Sequence, residues 1–94
     1  MKKGIFFVET TGLQINRDYV ACDLCGANLL DLRTGYLDKS YAKFYNTGKT
    51  LYLEAIYCER CRNSLKKFPT VNEPELREQV KEFLNTRSPY VIGW

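Results

Sequence analysis

Apolar and polar positions along the chain sort into short strand-like runs first and a helical stripe last. Ile5-Phe6-Phe7-Val8 is a continuous apolar run that predicts a short strand, and Thr10-Thr11-Gly12 supplies the turn that ends it. Leu29-Leu30-Asp31-Leu32 predicts a second strand, closed by Thr34-Gly35. Two β-rich runs follow, Tyr41 to Tyr45 and Leu51 to Tyr57, with Asn46-Thr47-Gly48-Lys49 between them. A glycine able to take positive φ in so short a loop is a hairpin signal. Strict alternation in the second run puts Leu51, Leu53, Ala55 and Tyr57 on one face and Tyr52, Glu54 and Ile56 on the other.

After Cys61 the period changes. Leu65 and Phe68 lie at helical spacing beyond it, which predicts a short helix stopped by Pro69. A longer helix is predicted from Asn72 as cap, with Glu75 completing a capping box and Val71 stapled onto Leu76. Pro74 in its first turn costs no hydrogen bond, because those N–H groups lack helical partners. Leu76, Val80, Phe83 and Leu84 form its apolar stripe. Asn85 to Ser88 and Pro89 end it, and Tyr90-Val91-Ile92-Gly93-Trp94 reads as a final strand or a docked tail.

At 94 residues the chain is near the lower limit at which a hydrophobic core suffices unaided. Five Phe, seven Tyr and one Trp argue for a folded chain and against disorder. A metal or covalent staple would add what so small a core lacks. The four cysteines offer one, because all of them fall in two C-x-x-C pairs, Cys22-Asp23-Leu24-Cys25 and Cys58-Glu59-Arg60-Cys61. Two intervening residues let a tight turn aim both sulfurs at one ion, and two such turns make a tetrahedral four-sulfur set that suits Zn²⁺. The hairpin between the pairs brings them together. The chain has no histidine, so mixed Cys/His sets are excluded. A thioredoxin-like redox pair needs one C-x-x-C in a βαβ unit, which is missing, and disulfides need an oxidising compartment. Iron in the same four-sulfur set is the chemical alternative to zinc.

The pattern resembles the treble-clef group of zinc domains, in which a C-x-x-C-G knuckle is followed by a β-hairpin and a second C-x-x-C opens a helix. Here those parts are Cys22 to Gly26, the hairpin 41–57, and Cys58 to Cys61 running into Arg62 to Phe68. Tyr57 is similar to the aromatic or apolar residue often found before the second pair. The chain departs in lacking glycine after Cys61 and in its long hairpin insertion, and a zinc ribbon is the close alternative. The expectation is a small α+β zinc-binding domain with one structural zinc on Cys22, Cys25, Cys58 and Cys61, joining two knuckles across a β-hairpin, plus a C-terminal helix. With no repeat or linker, residues 1–94 are read as one domain, with a zinc core over about 19–68 and a helix and tail over 72–94.

No enzyme is expected. A four-cysteine site is closed, whereas catalytic zinc keeps a position open for water. Histidine, the commonest general base, is absent, as are phosphate-loop, dinucleotide and nucleophile motifs. Glu73, Glu75, Glu78 and Glu82 are explained by the helix dipole and by solubility. No targeting segment or membrane span is read in the sequence, so the expectation is cytoplasmic.

Two functions fit. The first is a regulatory or adaptor protein acting through protein–protein contacts, supported by a tyrosine-rich hairpin and the Tyr90–Trp94 segment, although alternation assigns most hairpin aromatics to the core. The second is nucleic-acid binding. Residues 1–72 carry eleven basic against seven acidic side chains, and Arg60, Arg62, Lys66 and Lys67 around the second knuckle face only Glu59. Lys43, Tyr45, Lys49 and Tyr52 extend that surface along the hairpin. The net charge of +3 is weak for a protein that must neutralise phosphates, which favours the first reading.

Overall fold

A computed structural model describes residues 3–65 and 68–86. Strands β1 (Gly4–Glu9), β2 (Ser40–Asn46) and β3 (Leu51–Cys58) form an antiparallel sheet in the order β1-β2-β3. Helices α1 (Glu59–Ser64) and α2 (Pro74–Thr86) follow. The chain is thus a small α+β fold with its long helix C-terminal. Tyr90 to Trp94, read as a strand or tail, lies outside the described residues.

The hairpin forms where alternation and Gly48 place it, with Gly48 at φ +93° in the loop. Its faces differ from the alternation. Lys43 pairs with Ala55 but Phe44 pairs with Leu53, so Glu54 is an extra residue in β3. Such a bulge inverts the facing of everything beyond it. Ile56 therefore joins Leu51 and Leu53 on the core side, opposite Ala42 and Phe44, while Ala55 and Tyr57 turn to the other side.

On the core side Phe6 and Phe44 stack with ring centroids 5.7 Å apart. Leu76, Val80, Phe83 and Leu84 of α2 cover them, together with Leu13, Ile15, Val20, Leu29, Leu30 and Leu37. Those last six belong to the segment 10–39, which is not a strand at Leu29–Leu32. Leu29 N–H donates to Val20 and Asp38 N–H donates to Leu29, but Gly35 N–H returns to the Asp31 carbonyl at 2.8 Å. That turn carries Leu32 into solvent, 71% exposed. The segment is held by isolated bridges at Gln14–Tyr36, Ala21–Asn28 and Leu30–Leu37. Its exit is closed by a buried hydroxyl pair, Thr10 and Ser40, 2.7 Å apart.

The second sheet face is smaller. Phe7 packs there edge-on to Tyr57 and tilted against Phe68. Phe68 is not helical. α1 stops at Ser64 because Leu65 is extended, with ψ 172°, and the residue before Pro69 is itself driven out of the helical region. The freed segment runs along the outer edge of β1: Phe7 N–H donates to Pro69 at 2.8 Å, and Val71 N–H donates to Phe7 at 2.7 Å. It leads the chain to α2 on the core side. α2 opens with Pro74 at its first position, and Leu76 and Arg77 N–H both point to the Glu73 carbonyl. Glu73, not Asn72, is therefore the capping residue. Among the described residues no helix is long and apolar enough to cross a membrane.

Candidate metal centre

Each cysteine pair is placed by a different local structure. The first sits on a tight turn, in which Cys22 N–H donates to Ala27 at 2.8 Å and Gly26 N–H donates to Cys22 at 2.9 Å. Gly26 has φ +79°, which a residue with a Cβ rarely adopts. Tyr19 Oη–H caps the turn on the Gly26 carbonyl at 2.6 Å. The second pair sits at a strand-to-helix junction. Cys58 ends β3 and caps α1, its Sγ accepting from Cys61 N–H at 3.4 Å, which leaves Cys61 in the first turn.

Asp23 brings the two pairs together. Its N–H donates to the Ile56 carbonyl at 2.9 Å and its Oδ2 accepts from Ile56 N–H at 2.7 Å. The first turn is thereby bonded to the outer edge of β3 two residues before Cys58, and Cys58 N–H reaches Cys22 Sγ at 3.4 Å. All four sulfurs lie within 4.8 Å of one another, and Cys25 and Cys58 Sγ are 3.9 Å apart. Four sulfurs at the usual zinc distance of about 2.3 Å stand about 3.8 Å from each other at tetrahedral corners. The cluster fits a metal ion and contains no disulfide.

Electrostatics point the same way. Burial opposes ionisation of Cys22, yet the amides of Cys25, Cys58 and Leu24 outweigh it and draw the thiol down to about 6. Cys61 is pushed up to about 12, chiefly by hydrogen bonding to the Cys58 sulfur and then by burial. Sulfurs this close cannot all carry charge unaided. A divalent cation removes the conflict by deprotonating its ligands outright.

The basic side chains are not gathered in the same way. Arg60 is exposed. Arg62 is half-buried, its guanidinium 5.1 Å from the Phe7 ring centre and 5.3 Å from that of Tyr41. Its Nη2 donates to Thr70 Oγ1 at 2.8 Å, so it ties α1 to the second sheet face. Lys66 and Lys67 lie outside the described residues. Lys43 is paired with Glu54 at 3.5 Å, and Tyr45 and Tyr52 stack at 6.2 Å. Asp23 is the residue that sequence reasoning missed. Its signal was faint: a short acceptor side chain inside the knuckle, able to bond backbone outside its own turn.

No family model, curated protein or solved structure matches the chain, so the four-sulfur centre is what the functional reading rests on.

Proposed function

We propose that this protein is a small, non-enzymatic zinc protein of the cytoplasm that acts as a regulator or adaptor by binding another protein. The observation that carries the reading is the saturated donor set: Cys22, Cys25, Cys58 and Cys61 offer four sulfurs within 4.8 Å. An ion held by all four has no position left for water or substrate, so its role is structural. Zinc suits four thiolates at tetrahedral corners, and reduced thiols suit the cytoplasm. The second pair opens a helix, which favours the treble-clef arrangement over the ribbon.

Protein binding is supported by large apolar side chains left in solvent around the first knuckle and its connections. Tyr19 is 54% exposed, Leu24 56%, Leu32 71% and Tyr36 45%. Nucleic-acid binding has less support, because Arg62 is engaged between two rings and Lys43 is neutralised by Glu54. The test is a pull-down from the native host with metal-loaded protein, set beside Leu24→Asp and Leu32→Asp variants. A partner held by the parent and lost with either variant supports the reading. Salt-dependent binding to random-sequence single-stranded DNA or RNA, unaffected by those variants, overturns it in favour of a nucleic-acid role.

A further inference from the structure

The four sulfurs are not equivalent. Cys22 and Cys61 are buried, Cys58 is half-buried, and Cys25 is exposed. Amide donors are unevenly shared as well. The sulfur of Cys22 receives the amide of Cys58 at 3.4 Å, and that of Cys58 receives the amide of Cys61 at 3.4 Å. Among the described residues no amide is directed at Cys25 Sγ, whose polar neighbours are the other sulfurs, Cys58 Sγ at 3.9 Å being one. An amide hydrogen bond withdraws electron density from a thiolate, and burial blocks access to it. The sulfur that lacks both protections is the most nucleophilic ligand of the set.

We infer that Cys25 is a modification site: a peroxide or a soft alkylating electrophile reacts there first, and oxidation joins Cys25 to Cys58 with expulsion of the metal. This rests on the zinc-centre proposal. In the first step the Cys25 thiolate attacks one peroxide oxygen and the O–O bond breaks. A sulfenic acid forms, and the departing hydroxide takes a proton to become water. The Cys58 thiolate then attacks the Cys25 sulfur, the S–O bond breaks, and a second hydroxide leaves and is protonated. Two thiolates, one peroxide and two protons thus yield one disulfide and two waters, the two electrons passing from sulfur to oxygen. The two sulfurs, 3.9 Å apart, close by about 2 Å to reach disulfide length. With two of its four ligands consumed, the ion is released.

Metal content is measured first on the protein used for the experiment. Absence of metal defeats the zinc-centre proposal, whereas the order of labelling judges Cys25 alone. Metal-loaded protein is then treated with limiting iodoacetamide, quenched, and mapped by peptide mass spectrometry. Cys25 should be labelled on the order of tenfold faster than each of the other three. In parallel, one equivalent of hydrogen peroxide should release one equivalent of zinc to a chelating dye, with the disulfide mapped to Cys25 and Cys58. First labelling at Cys22, Cys58 or Cys61, or equal labelling of all four, overturns the inference. So does a peroxide disulfide that omits Cys25, or one that joins it to Cys22.

Discussion

Replacing Asp23 with Ala removes the carboxylate that accepts from Ile56 N–H at 2.7 Å while leaving all four cysteines in place. Ile56 is only 3% exposed, so its amide cannot easily turn to water instead. Losing a hydrogen bond to a charged acceptor costs about 1.5–3 kcal/mol, and the partly exposed carboxylate places the effect at the lower end, about 1.5 kcal/mol. The contact exists only when the first turn is seated against β3, which is also the state in which the sulfurs converge. The cost should therefore appear in metal binding as well, as roughly tenfold weaker affinity in a competition titration with a chelator. Asp23→Asn keeps an oxygen acceptor and should recover part of the loss. Urea unfolding of the metal-loaded proteins gives the stability half of the measurement. If Asp23→Ala matches the parent in both stability and affinity, the docking of the knuckle on β3 is not what assembles the site.

Arg62→Ala should cost about 1–2 kcal/mol in urea unfolding, since it strips a cation from two aromatic faces and a donor from Thr70. Arg62→Lys should recover only part of that, because an ammonium cannot lie flat between the rings; an Arg62→Ala protein as stable as the parent would make this a free surface residue. In metal-free protein under reducing conditions, thiolate absorbance should show Cys22 titrating near 6 and Cys61 only near 12, resolved by single-cysteine labelling rates. Cys22 is depressed from 9.0, so its contribution to metal-free stability is full above about 9 and is lost as pH falls through about 6. Cys61 is raised from 9.0, so its contribution is full below about 9 and is lost as pH rises toward 12. Cys22 and Cys61 titrating together near 9 would contradict this reading of the cluster.

The hairpin was readable because alternation and a positive-φ glycine are local signals, and Ser40–Asn46 and Leu51–Cys58 lie within one residue of the expected runs. The bulge at Glu54 was not. One extra residue leaves no trace in the pattern except Ala55 and Ile56, adjacent and both buried on opposite faces. The segment 10–39 is aperiodic because turns and isolated bridges hold its backbone, so Leu29–Leu32 imitates a strand although only Leu30 is bridged, to Leu37. The four cysteines were legible because no other residue types compete for the site and none is left over. Arg62 was not, since a charged side chain beside a knuckle looks solvated until sheet pairing brings Phe7 of β1 and Tyr41 of β2 together on the second face. The same local reasoning misplaced the cap of α2: Asn72 is the better capping residue, but Pro74 at the first helical position makes Glu73 the cap.

The most direct test of the account is metal analysis with X-ray absorption on protein purified under reducing conditions. One zinc per chain is expected, surrounded by four sulfurs at about 2.3 Å and no lighter ligand. Metal-free protein that is nonetheless fully folded, or a zinc shell containing nitrogen or oxygen, would contradict it.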